Sequence, residues 1–311
     1  MVSTPQTEHE WTVHSINIHG IFFERWCQRA VTDAPGWRVD STNYPVEFPP
    51  PNGPVRGRES TLDIRASRQV GDIRLSLLIE CKKNNPHFVN WVFFRKTDEL
   101  QSEGFIVSQV QNIPRVAPAE GWDTNASIRR LTTSFIVADE ARETRGSYLP
   151  LKNTGDKTKT SNAAIQDAAY QVSLAKQAIA HEDEHVSRRL GGRTSAVPLT
   201  WQTKQYFPTI VTTARLYLCS FDPKDVNGAT GEIAAANASI SEQKALVFEY
   251  PLPRYLQSNP ADIASTYGEG LANLFMRLHI LIVQSEHFPE FLRTFYGEPS
   301  VHEETAAPGA G

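Results

Sequence analysis

The chain has 311 residues, with 31 Lys and Arg against 35 Asp and Glu, a net charge of −4 and a pI near 6.2. That length and a 40% hydrophobic content support one large or two ordinary domains with a substantial core, and the acidic balance excludes a uniformly basic nucleic-acid coat. Three widely spaced cysteines, Cys27, Cys81 and Cys219, argue against a disulfide framework and for a reducing compartment. The opening MVSTPQTEHEWTV has no positive stretch leading into an apolar one, and no apolar run reaches bilayer length. The expected location is the cytoplasm, with no membrane partner.

In chain order, residues 17–33 predict a helix with Phe22, Phe23, Trp26 and Ala30 as its apolar stripe, ended by Pro35-Gly36. Three strands follow at roughly 37–47, 59–68 and 72–82, and their short connections predict an antiparallel meander. Residues 88–94 are apolar enough for another strand or a buried turn. Residues 97–158 read as an insertion, with IVSQVQ and SFIVAD as strands inside it. A helix is predicted over 162–189, stopped by Gly191-Gly192. The β-branched and aromatic run 208–221 predicts a strand. A strand at 245–250, a helix near 261–275, a strand at 277–284 and a short helix at 288–296 complete the elements. The expected organisation is one domain over 1–297, with core segments 17–96 and 159–222, the insertion 97–158, a C-terminal extension 223–297 and a disordered tail over 298–311.

The chemistry concentrates where the third predicted strand ends. In an extended chain Glu80 and Lys82 point to one side, while Leu75, Leu77, Ile79 and Cys81 point to the other. In the strand before it, Leu62, Ile64 and Ala66 make one apolar face and Asp63 projects from the opposite one. Two neighbouring strands thus offer two carboxylates and an ammonium to one point. Mg²⁺, or Mn²⁺ in its place, takes carboxylate oxygens, water and substrate phosphate. A fixed lysine beside it offsets charge developing on phosphorus. Asp63 and Glu80 are the candidate metal ligands and Lys82 the candidate catalytic cation. Between Arg56 and Lys96 there are nine Lys and Arg against four Asp and Glu, which suits a phosphate backbone as well as an ordinary solvated surface.

Helix, three strands, helix, strand, with Asp63 on the second strand and Glu80-Cys81-Lys82 on the third, resembles the PD-(D/E)XK nuclease superfamily over residues 17–222. Leu62 stands where the motif name has proline. The resemblance implies a restriction-endonuclease-like α/β fold, a mixed central sheet flanked by helices. It also implies a Mg²⁺-dependent deoxyribonuclease in which Glu24 of the first helix joins the catalytic set and the Cys81 backbone carbonyl joins the metal ligands. Gln166 and Tyr170 match the Gln-x-x-x-Tyr of RecB-type members, which assigns them, with Lys83, to substrate binding. DNA is the implied partner, alongside a second copy of the chain or a defence-system protein, and restriction or anti-phage defence is the role by analogy.

Two other readings stand beside this one. A nuclease-like fold that has lost its metal serves as a nucleic-acid-binding or scaffold module. His181-Glu182-Asp183-Glu184-His185 matches the zinc-peptidase pattern H-E-x-x-H, although its two middle positions are acidic where a packed helix wants uncharged residues. A second E-x-K at Glu242-Gln243-Lys244 follows a polar run and reads as surface.

Overall fold

The computed structural model describes residues 7–18, 20–48, 58–84, 89–96, 105–114, 125–132, 135–144, 162–190, 201–257 and 276–296. The chain opens with two helices, α1 (Glu8–Ile18) and α2 (Ile21–Asp33), where the sequence predicts one. Gly20 between them has φ 79°, a left-handed conformation that an α-helix does not accommodate. A meander follows of β1 (Trp37–Phe48), β2 (Arg58–Val70) and β3 (Ile73–Lys82), antiparallel throughout as expected. Its β2–β3 turn is tight, Val70 pairing with Ile73, and Gly71 takes φ 54° there.

The remaining elements are β4 (Asn90–Arg95), β5 (Phe105–Pro114), β6 (Asn125–Thr132), β7 (Val137–Thr144), α3 (Ala163–Leu190), β8 (Trp201–Thr212), β9 (Arg215–Phe221), β10 (Ala238–Gln243), β11 (Ala245–Pro251), β12 (Arg277–Gln284) and α4 (Phe288–Thr294). Ten strands form one mixed sheet in the order β1-β2-β3-β8-β12-β11-β7-β4-β9-β10, and β5 pairs with β6 and β8 beside it. Strand β8 runs parallel to β3, and α3 lies in the connection between them, as a parallel pair requires. From the 97–158 stretch, β7 enters the sheet between β4 and β11. The predicted helix near 261–275, the Gly191-Gly192 stop and the tail lie outside the described residues. No helix among the described residues is long and apolar enough to cross a membrane.

The single strand predicted over 208–221 is two. Thr212 Oγ1 accepts from the Ala214 N–H at 3.1 Å, and the Thr213 N–H turns to the Lys82 carbonyl. The first bond is local and closes a turn, while the second is the last rung of the β3–β8 ladder, and β8 ends there. Strand β9 then leaves its predecessor to pair with β4 and β10.

Helices cover both faces of the sheet. On one, α3 packs Ile165, Ala168, Ala169, Val172, Ala175 and Ile179 against Leu62, Leu78, Ile210 and Ile282. On the other, α2 and α4 bring Cys27, Val31, Phe288, Phe291 and Leu292 onto Ile64, Ala66, Leu77, Ile79 and Val211. Half of the stripe expected on α2 packs: Phe23 and Ala30 lie partly buried against this core beside Cys27 and Val31, which are fully buried, while Phe22 and Trp26 remain 47% and 42% exposed, both a third of a turn or more to one side of the buried face. Burying the indole of Trp37 under α4 adds a hydrogen bond to the Leu292 carbonyl at 2.8 Å.

Leu62 belongs to the core under α3, but Ile64 and Ala66 belong to the core under α2 and α4. The single apolar face expected for these three residues is therefore split. Alternation breaks at Asp63, and Asn43, at the same level of β1 between the pairs Thr42–Ile64 and Tyr44–Leu62, takes φ 48°.

Candidate active site at the end of strands β2 and β3

The β2–β3 ladder stops at Ile64–Ile79, while β3 continues through Glu80, Cys81 and Lys82 on its pairing with Ile210, Val211 and Thr212 of β8. The backbone N–H of Cys81 is left facing a strand that has parted from it. Asp63 fills the gap, its Oδ2 accepting that N–H at 2.7 Å. One carboxylate is thereby held at a fixed distance from the next strand by the register itself.

Glu80 is 3% exposed. Its Oε1 lies 2.8 Å from Lys82 Nζ, and its Oε2 is buried with no hydrogen-bond partner among the described residues. Lys82 Nζ also donates to Gln171 Oε1 of α3 at 2.8 Å. Two acceptors on different elements thus hold the ammonium group. The Thr213 N–H bond to the Lys82 carbonyl and an Asn84 N–H bond to Thr213 Oγ1 at 3.0 Å fix the backbone on either side of that lysine's carbonyl.

The electrostatics are those of crowded, dehydrated acids. Burial pushes the Asp63 carboxyl up to about 6, with the charge of Glu24 adding to it and the Cys81 N–H and Lys82 opposing. Burial and the neighbouring Asp63 push Glu80 up to about 7, against the pull of Lys82. Both shifts say that negative charge here lacks a sufficient partner. Glu24 reaches the same neighbourhood from α2 and, with Asp63, lines a cleft of about 210 Å³ between α2 and β1. Two close carboxylates with a bare buried oxygen are a donor set for a hard divalent ion. The thiol of Cys81 is no part of that set: it sits in the α2-side core, and a hydrogen bond with Cys27, then burial, raise its pKa. Among the described residues no group of three or more His, Cys, Asp and Glu side chains is gathered closely enough to hold a metal, so any ion would rest on the two carboxylates plus backbone and solvent oxygens.

Other expected site residues are placed elsewhere. Tyr170 accepts a 2.6 Å hydrogen bond from the Tyr255 hydroxyl, and among the described residues Gln166 makes no hydrogen bond to Asp63, Glu80 or Lys82. The alanine-rich stripe that α3 buries fixes its rotation, and Gln171 falls on one flank of that stripe with Gln166 on the other. Gln171 was not singled out by the sequence. The only signal for it is its place at the edge of the buried stripe. Lys83 donates to the Asn17 carbonyl at the end of α1, which uses one of the three donors of its ammonium group.

Four of the nine basic residues between Arg56 and Lys96 are committed to ion pairs within the fold. Arg65 pairs with Asp183 at 3.2 Å, Arg74 with Asp40 at 2.9 Å, Lys82 with Glu80 and Lys96 with Glu249 at 2.6 Å. The H-E-x-x-H segment lies on α3. There Glu182 accepts from the Tyr44 hydroxyl at 2.6 Å and His181 meets the Phe48 ring edge-on, while the His185 side chain lies outside the described residues. Asp183 in its middle anchors Arg65, Lys204 and Tyr206, the work of a packed helix end. Glu242 sits on β10, the exposed terminal strand of the sheet.

Comparison of the chain with protein-family models, with curated proteins and with solved structures gives no match in any of the three.

Proposed function

We propose that the protein is a divalent-metal-dependent nuclease that hydrolyses DNA phosphodiester bonds, built on a restriction-endonuclease-like core. The observation that carries this reading is the bare Oε2 of Glu80, buried beside Asp63 and an anchored lysine where two strands part. The order α2, β1–β2–β3 meander, α3, then β8 parallel to β3 supports it, because that is the arrangement the resemblance implies around Asp63 and Glu80.

Asp63 and Glu80 would hold Mg²⁺ or Mn²⁺, with the Cys81 backbone carbonyl as a further oxygen ligand. Bound there, the ion would supply polarisation of the phosphate and a lowered pKa for the attacking water. The chain's own residues do the rest. Lys82, held by Glu80 and Gln171, presents a preorganised cation to charge that develops on the phosphate oxygens, which costs no reorganisation during reaction. Glu24 adds negative charge on the cleft side, where it favours cation binding. The register-locked Asp63 keeps the two carboxylates in place before substrate arrives.

The test is cleavage of plasmid, linear and single-stranded DNA in Mg²⁺ or Mn²⁺, with Glu80→Ala and Lys82→Ala alongside. Cutting that requires the ion and disappears in both variants is the expected result. Full activity in EDTA, or wild-type rates from Glu80→Ala, would refute the mechanism.

A further inference from the structure

We propose that the cleft between α2 and β1 is a nucleotide subsite, which takes the sugar and phosphate next to the scissile bond; the proposal rests on the nuclease reading above. Asp63 and Glu24 both line it, so whatever fills the cleft adjoins the carboxylates that would hold the ion. Its lining also has Ile21 and Ile64 and four residues whose side chains donate hydrogen bonds, Arg25, Gln28, Thr42 and Asn43. At about 210 Å³ the cleft is smaller than sites enclosing a drug-sized ligand, roughly 300–1,000 Å³. It is of a size for one nucleotide's sugar and phosphate.

Arg25 takes the phosphate. Its guanidinium is exposed and, among the described residues, pairs with no carboxylate, bonding only Gln28 Oε1 at 3.0 Å. That bond turns Gln28 so that its amide N–H groups remain for the ligand. Asn43 is the second recognition residue. It is exposed, has no side-chain hydrogen bond among the described residues, and holds φ 48° in mid-strand, level with Asp63. A left-handed non-glycine residue inside a strand carries a backbone cost even where, as here, it also sets which core its neighbours enter, and such costs cluster where geometry serves a ligand. Here the break brings consecutive side chains, Thr42 and Asn43, to the same cleft, which regular alternation forbids.

The experiment compares Arg25→Ala, Arg25→Lys and Asn43→Gly with wild type, glycine being chosen because it keeps the positive φ. Steady-state cleavage in Mn²⁺ is measured on a fluorescent single-stranded deoxyoligonucleotide and on bis(p-nitrophenyl) phosphate, a diester that carries no nucleotide. For Arg25→Ala and Asn43→Gly the ratio of kcat/KM on the oligonucleotide to kcat/KM on the small diester falls about tenfold, with the loss in KM, and Arg25→Lys recovers part of it. An unchanged ratio overturns the subsite. Fluorescence anisotropy of the same oligonucleotide on a Glu80→Ala background is the second arm, where adding Arg25→Ala weakens binding about tenfold. If wild type cuts neither substrate, the nuclease reading falls by itself, and the anisotropy result decides the cleft: equal affinities overturn it, a loss upholds it.

Discussion

Glu80→Gln is expected to stabilise the metal-free protein, and by an amount that grows with pH. Wild-type Glu80 is raised from its ordinary 4.5 to about 7 because burial and Asp63 penalise its charge. An acid raised in the folded state binds more protons there than when unfolded, so stability falls as pH rises from about 4.5 to 7. At about 1.4 kcal/mol per pH unit, the penalty is below about 1 kcal/mol at pH 5 and near 3 kcal/mol at pH 8. Glutamine mimics the protonated carboxyl and keeps an oxygen for Lys82, so the variant escapes the penalty. Urea titrations in EDTA at pH 5 and pH 8 should give a difference between variant and wild type that widens by about 2 kcal/mol, equivalent to roughly 3 °C in Tm for a chain of this length. Mg²⁺ at ten times its Kd adds about 1.4 kcal/mol to wild type at pH 8 and little to the variant. An equal difference at the two pH values would refute the claim that the carboxylate is short of a partner.

Gln171→Ala removes one of the two anchors on Lys82 and should lower kcat about tenfold with KM unchanged, while Gln166→Ala and Tyr170→Phe leave kcat near wild type. Single-turnover cleavage measures all three, and a larger loss from Gln166→Ala than from Gln171→Ala would reverse the assignment. Asp183→Ala strips Arg65, Lys204 and Tyr206 of a common partner whose side chain is 14% exposed, and should cost about 3 kcal/mol in denaturant titration. A loss under about 1 kcal/mol would mean that water takes over its role.

The strands were legible where one local signal decided them. Glycine at 71 and an apolar run on each side define the β2–β3 hairpin, and the alternation at 75–81 correctly turns Glu80 and Lys82 away from the thiol of Cys81. The signal failed where a single residue redirects the chain. Gly20 looks like an ordinary residue in a helical pattern, yet its left-handed backbone makes two helices. Thr212 and Thr213 score as good strand formers, yet the Thr212 hydroxyl, bonded locally to the Ala214 N–H, and the Thr213 hydroxyl, tied to the Asn84 N–H beyond the end of β3, mark where β8 gives way to β9. Leu62, Ile64 and Ala66 follow a strict period of two, and the break at Asp63 still sends them to opposite cores. For the site, residue types on one strand pair were readable, but Gln171 depends on how far α3 is rotated. Rotation is a property of the whole buried stripe, so a four-residue spacing such as Gln166 to Tyr170 cannot report it.

The parting of β2 from β3 also decides which variant of Asp63 is informative. The carboxylate does two opposed things: its Oδ2 satisfies the Cys81 N–H, and its buried charge is penalised, raising it from 3.8 to about 6. Alanine abolishes both. Leaving a backbone donor unmet costs about 1–3 kcal/mol, while relief of the charge returns about 3 kcal/mol at pH 8, so Asp63→Ala should fold with nearly wild-type stability. Asparagine abolishes only the second, because its amide oxygen still accepts the N–H. Asp63→Asn should therefore be more stable than wild type at pH 8 by about 2–3 kcal/mol in EDTA, and equal to it near pH 4. Thermal melts of the three proteins at both pH values separate the terms. If Asp63→Asn is no more stable than Asp63→Ala at pH 8, the 2.7 Å bond to Cys81 contributes nothing, and the register lock on the carboxylate must be abandoned.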